Sequence, residues 1–397
     1  MESASPEIAI MCKIGERYIS RNAVGFAPPR LIQADSIHHH ALTTISARCP
    51  RPVSTYGHPL LVSLILNPLT LDDESPFAQK AKLLLSVRKI PYHTVTVARI
   101  PPRPELQLLG IDYRRIPVLA INETVYCDTF MIGQALEELY PDSEAHPSLY
   151  PKNQTTGKRE HVAFQKLLVQ FWTDRVVFGI AAGLLPWKSL PKEFVKDREA
   201  YRDTPIDPNT LEQLKPYTTA QLKLHLEAVE EQLIGNKTDY LFDTAYPGYL
   251  DISVYFILDW LRQVGQKETL FGGKEFPTVW MDRVEKYHKS QIVQVTKITG
   301  QEANKLIGAP PAPPASTNST DGHLFGIGTQ VMVVPDDVGK IPTYGTLVGL
   351  DREKILLDVQ RRDSSDPLQA CRVCFPRIGF LIVPQDQSVK QVGVGKI

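Results

Sequence analysis

Cysteine is scarce in this chain: Cys12, Cys49, Cys127, Cys371 and Cys374 are spread over 397 residues. They are too few and too scattered for a disulfide framework, and a reducing compartment, the cytoplasm, fits best. Charge of one sign is lacking too. Lysine plus arginine number 44, and aspartate plus glutamate number 44. No overall field therefore draws the chain to nucleic acid or to an acidic lipid surface. No apolar run approaches the roughly 20 residues of a membrane-spanning helix, and the N-terminal residues lack the basic-then-apolar order of a secretory signal.

Residues 1–57 also lack a sustained hydrophobic period and are broken by Pro28, Pro29, Pro50 and Pro52, which reads as a disordered extension. Arginines and serines there suggest a transit peptide, but Glu2, Glu7 and Glu16 argue against one, because such peptides are poor in acids. His38-His39-His40 has no carboxylate or thiol partner beside it and reads as a polar tract rather than a metal site. No metal is expected.

What is present is organised around Ser75-Pro76-Phe77-Ala78-Gln79-Lys80. The apolar run Leu60 to Leu66 before it has the form of a buried strand. After it, Phe77, Ala81, Leu84 and Leu85 recur at helical spacing. Serine can cap a helix and proline favours the first helical position, so a helix is predicted to start at Ser75. A strand feeding such a helix end places free N–H groups and a partial positive charge beside the Ser75 hydroxyl. That place suits an anion.

From Leu60 to Pro141 the pattern reads strand, helix, strand (Tyr92 to Ala98), an irregular segment with a weak helix crowded by Pro101, Pro102 and Pro104, then strand (Val118 to Ile121), strand (Thr124 to Cys127) and helix. Three motifs lie in this order: Ser75-Pro76-Phe77-Ala78-Gln79-Lys80, Tyr113-Arg114-Arg115-Ile116-Pro117-Val118-Leu119, and Tyr126-Cys127-Asp128-Thr129. Together they resemble the N-terminal, thioredoxin-like domain of glutathione transferases of the fungal branch.

Several roles follow from the resemblance. Ser75, with Pro76 beside it, would stabilise the glutathione thiolate. Ile116 would pair its main chain with the extended tripeptide while a cis Pro117 fixes the bend. Asp128 and Thr129 would receive the ammonium and carboxylate of the γ-glutamyl end. For Ser75 and Asp128 the plainer role of helix cap stays open and does not exclude the other. Asp72, Asp73 and Glu74 would repel a thiolate unless they face solvent, and Asn67-Pro68 stands where many relatives have an aromatic or hydroxyl residue.

After Asp142 the chain turns helical. Phe164, Leu167, Leu168, Phe171, Trp172, Arg175 and Phe178 suggest a long helix, Leu211 to Ile234 a second, and Asp251 to Val264 a third that is apolar on several faces and so central. Pro277 to Thr299 closes this helical region. In the transferase family a Ser/Thr-x-x-Asp box opens the buried helix; Gly248 to Asp251 keeps the aspartate and lacks the hydroxyl. Phe171, Trp172, Phe178 and Trp187 are either ordinary core or the wall of an electrophile pocket. A Pro- and Ser-rich linker from 308 follows. Short strands then begin at Gln330, Gly345, Lys354, Arg372 and Gly379, spaced as in a small antiparallel, SH3-like barrel. Cys371-x-x-Cys374 has no second pair and lies on a strand whose alternation points the two apart.

The fold expected is thus an α/β thioredoxin-like domain (58–145), an all-α glutathione transferase C-terminal domain (146–307), a linker (308–324), a small all-β barrel-like module (325–386) and a tail (387–397). The function expected is a transferase of alkyl or aryl groups, acting as a possible homodimer with glutathione as co-substrate. It would conjugate glutathione to an electrophilic apolar small molecule, or use it as a recycled cofactor to transform one by isomerisation or elimination, as in secondary metabolism. The alternative is a glutathione-binding scaffold that has lost thiol activation.

Overall fold

The computed structural model describes residues 61–64, 75–266, 270–271, 275–308, 310, 326–363 and 369–385. The extension before residue 58, the His38–His40 tract, the acidic residues 72–74, Asn67-Pro68, nearly all of the linker and the tail after 386 lie outside the described residues.

β1 (Leu61–Leu64) and β2 (Tyr92–Val95) are parallel and joined across α1 (Pro76–Val87). α2 (Pro104–Leu108) leads to the antiparallel pair β3 (Val118–Ile121) and β4 (Thr124–Cys127), and α3 (Thr129–Leu139) follows. β3 also pairs antiparallel with β1, giving the order β2-β1-β3-β4 of a thioredoxin-like sheet. Residues of α1 and α3 pack into one hydrophobic cluster with the helical region, whereas Leu106 of α2 lies in a second cluster.

The helical region opens with a continuous rod: α4 (Val162–Leu167), a π-helical stretch Leu168–Val177, and α5 (Phe178–Ala182). Gln165, Val169, Thr173, Val177 and Ala181, each four apart, make its buried ridge, which Ala182 joins at the end. This wide-turn ladder turns Phe164, Leu167, Leu168 and Phe171 outward, with Phe164 67% and Phe171 62% exposed. Those four signal the helix correctly, but they form its outer face because the π stretch changes the period. α6 (Lys192–Arg202), polar and burying only Phe194, carries no apolar period that would announce it. α7 (Pro208–Asn236), α8 (Tyr249–Gln263) and α9 (Glu275–Ser290) follow. α8 is the central helix, buried along most of its length. At its start Asp251 accepts from the Gly248 N–H at 3.0 Å and from the Leu241 N–H at 3.0 Å, so the carboxylate half of the expected box is present.

The segment after α9 departs from the helical expectation. Val295–Ile298 is a strand, β5, added parallel to β2 at the sheet edge, and α10 (Gly300–Leu306) follows. A short run with Val295 and Ile298, too short for a helix, finds unpaired backbone groups there.

The C-terminal strands β6 (Gln330–Pro335), β7 (Thr343–Leu350), β8 (Lys354–Gln360), β9 (Ala370–Pro376) and β10 (Phe380–Pro384) lie where the sequence places them. They do not close into a barrel. The order runs linearly, β10-β6-β7-β8-β9-β4-β3-β1-β2-β5. β9 spends its free edge on β4, pairing Thr124 with Arg372, Val125 with Val373 and Tyr126 with Cys374 in parallel. Val118, Ala120 and Val125 share a core with Val333, Leu347, Ile355, Leu357 and Phe375. At Gly110, with φ +81°, a Cβ would overlap the Gln360 carbonyl, so the turn after α2 admits only glycine against β8.

Candidate functional site

Cross-strand register sets the second and third sequence motifs side by side, next to the end of β1. Leu64 at the end of β1 pairs with Val118, and Val118 pairs with Cys127 at the end of β4. Leu64, the residue after Pro117 and the residue before Asp128 thus stand in one row at one end of the sheet. The Ile116–Pro117 peptide is cis, as the resemblance implies. Ile116 makes no backbone hydrogen bond to another described residue, which leaves its amide and carbonyl available to an extended peptide.

Ser75 is the N-cap of α1 with Pro76 next to it, but its side chain makes no cap hydrogen bond. Among the described residues only its carbonyl is engaged, by the Gln79 N–H at 3.1 Å. Asp128 does cap: Oδ1 accepts from the Phe130 N–H at 2.9 Å, at a backbone φ of 77°. Burial, and then the nearby charge of Asp174, raise its pKa. Thr129 is buried. Its hydroxyl donates to Asp174 Oδ2 at 3.4 Å and its carbonyl accepts from the Tyr249 hydroxyl at 2.7 Å.

Behind this row lies an ion pair that sequence reasoning missed. Lys80, one turn into α1 and fully buried, donates to both oxygens of Asp174 on the π-helical stretch, at 2.6 and 2.7 Å. Burial pushes the lysine pKa down and the aspartate pKa up, while each partner's charge opposes its neighbour's shift. The signal was available, since a lysine three residues after Phe77 falls on the apolar face of α1 and needs a buried partner. No sequence pattern names Asp174 as that partner.

Arg115, just before Ile116, faces the C-terminal strands. Its guanidinium pairs with Asp337 and donates to the Val338 carbonyl at 2.6 Å. Burial works against its charge, but Tyr201, Tyr113, Asp337 and Asp128 around it hold its pKa above the ordinary arginine value. Arg175, beside Asp174, pairs with Asp336 at 2.9 Å. The turn between β6 and β7 thus reaches both the sheet domain and the helical region at this site.

The aromatic candidates do not gather. Phe178 packs on Phe77 (4.6 Å between ring centroids) and on Trp260 (5.3 Å). Trp172 donates to His225 Nδ1 at 3.2 Å. Trp187 is buried in a separate cluster with Phe194 and donates to the Ala182 carbonyl, and Phe171 is exposed. Cys371 and Cys374 are buried free thiols, and burial pushes Cys371 up to about 12 and Cys374 up further. Among the described residues no group of three or more His, Cys, Asp or Glu could hold a metal ion, and no helix is long and apolar enough to cross a membrane.

Comparison with known families agrees with this geometry. Residues 70–144 match the profile of the glutathione S-transferase N-terminal domain. That segment is similar to the N-terminal domain of glutathione S-transferases. Residues 181–291 match a domain of unknown function (DUF7962). A GST-like protein from Pseudomonas syringae is similar in structure, with 25% identity and a TM-score of 0.58 over 82% of this chain and 100% of that one. A glutathione S-transferase of Ceriporiopsis subvermispora in complex with glutathione is a more distant likeness, at 16% identity, 59% of this chain, 98% of that one and a TM-score of 0.45. No curated protein sequence matches the chain.

Proposed function

We propose that the chain binds glutathione and transfers it to an electrophilic, apolar small molecule, with the domain boundaries and cytoplasmic setting expected above and in the manner of the fungal enzymes its motifs resemble. The observation that supports the reading is Ser75: a hydroxyl at the N-terminus of α1, unspent on capping its own helix, on the helix whose Lys80 shares Asp174 with Thr129. A free thiol titrates near 8.5 on the cysteine scale. A hydrogen bond from Ser75 to the thiolate is worth about 1.5–3 kcal/mol and the helix end about 0.3–1 kcal/mol. At roughly 1.4 kcal/mol per unit these lower the thiol pKa by about one to three units.

In this reading the Ile116 main chain pairs with the cysteinyl residue, the Asp128 carboxylate takes the ammonium, and the α3 N-terminus takes the γ-glutamyl carboxylate. Thr129, whose hydroxyl is engaged by Asp174, contributes mainly its backbone N–H. The exposed stripe Phe164, Leu167, Leu168 and Phe171 supports a homodimer in which two such rods pack against each other.

The test is the pH–rate profile for conjugation of an aryl halide. In Ser75→Ala the acidic limb of kcat/KM should move up by about one unit or more while the helix stays as stable, because no cap bond is lost. A profile identical to that of the wild type would remove Ser75 from thiol activation.

A further inference from the structure

The cations beside the row are already paired within the chain. Lys80 is held by Asp174, Arg175 by Asp336 at 2.9 Å, and Arg115 by Asp337 and the Val338 carbonyl. Glutathione brings two carboxylates against one ammonium, so it needs a guanidinium or ammonium that another carboxylate does not hold. Arg115 is the cation set next to the Ile116 edge, and its Nε is buried with no partner among the described residues. The group that holds it belongs to the β6–β7 turn, outside both parts of the transferase-like fold.

That turn is fastened at three points. Asp336 pairs with Arg175, Asp337 with Arg115, and the Gly339 N–H donates to the Tyr201 carbonyl at 2.7 Å. Gly339 has φ +64°, and a Cβ there would overlap the Tyr201 ring, so the third point depends on glycine. Asp336, Asp337 and Val338 remain partly exposed, and Lys340 and Ile341 are exposed. Charge pairs of this kind are exchanged for others more readily than a buried core is opened.

We propose that the β6–β7 turn is an intramolecular competitor: the Asp337 carboxylate occupies the Arg115 guanidinium that a carboxylate of the bound peptide takes, and binding releases the turn from Arg115 and Tyr201. The inference rests on the glutathione reading above and concerns the regulation of that same site. The ligand chemistry is a carboxylate, and either end of the tripeptide supplies one.

The experiment is calorimetric titration of the full-length wild type, Asp337→Asn and Gly339→Ala with glutathione, γ-glutamylcysteine and cysteinylglycine, alongside hydrogen exchange at the Gly339 amide. Glutathione should bind Asp337→Asn roughly tenfold tighter than wild type. Gly339→Ala, which unseats the turn without touching a charge, should change affinity in the same direction. The dipeptide that keeps the competing carboxylate should share the gain, which identifies the end involved. Glutathione should also speed exchange of the Gly339 amide in the wild type. Equal glutathione affinity in all three proteins, or added protection of Gly339 on binding, overturns the competition and leaves the glutathione reading standing. Binding of none of the three peptides by any protein overturns the glutathione reading, and the competition with it.

Discussion

The Lys80 ammonium lies 2.6 and 2.7 Å from the two carboxylate oxygens of Asp174 and 5.3 Å from the ring centroids of both Tyr249 and Phe256. It ties the first helix of the sheet domain to the π-helical stretch and to α8, directly behind Thr129. Removing one member leaves an uncompensated buried charge, so Lys80→Met or Asp174→Asn should cost about 3–5 kcal/mol in denaturant unfolding. The double replacement Lys80→Met/Asp174→Leu should recover most of that loss. Additive losses would show that the two residues act separately.

Asp128 combines a cap with the proposed anchor, and Asn separates them. Asparagine keeps a cap oxygen and tolerates positive φ better than most residues, so Asp128→Asn should fold with near-normal stability. Losing a charge-assisted hydrogen bond to the ammonium, worth about 1.5–3 kcal/mol, should weaken glutathione binding roughly ten- to hundredfold. Unchanged affinity measured by calorimetry would assign Asp128 to capping alone.

Asp251 is fully buried, and burial pushes its pKa up to about 6 although it accepts from the Leu241 and Gly248 N–H groups. The unfolded chain titrates near 3.9. The native state therefore holds an extra proton between about pH 4 and 6, so this group favours folding most at the acidic end. That contribution, about 3 kcal/mol, is lost as pH rises through about 6. The stability of wild type relative to Asp251→Asn should accordingly fall between pH 4 and 6.5. A flat difference would place the titration elsewhere.

The outward stripe on α4 and the π-helical stretch makes a claim about assembly. Phe164→Glu/Phe171→Glu should give a monomer in sedimentation equilibrium, with unfolding changed by only about 0.5 kcal/mol because both side chains are solvent-facing. A wild type that is itself monomeric across the accessible concentration range would leave the stripe without this role.

Much of the sheet domain was legible because its signals are local. The Ser75-Pro76 helix start, the two-residue turn at Asn122-Glu123 and the cap at Asp128 each act within a few residues. The C-terminal strands were legible in position for the same reason. Their partnership with β4 was not, because the pairing of Val125 with Val373 spans most of the chain and leaves no periodic trace. Of the proposed site, the motif residues could be named in advance. Asp174, Arg175 and Asp337 could not, since a carboxylate on a solvent-facing turn and one that meets a distant cation look alike in sequence. The outward turn of Phe171 escaped for a related reason: a 3.6-residue period was read where the backbone runs wider.

The parallel union of β4 with β9 bears on the order in which the protein matures during synthesis. Residues 124–126 leave the ribosome about 250 residues before their partners at 372–374. Throughout that interval the nascent sheet carries a bare β4 edge and the apolar side chains of Val118, Ala120 and Val125, which β6–β9 later cover. A chain stopped before residue 370 would thus resemble an arrested intermediate more than a smaller finished protein, and would be expected to occupy chaperones.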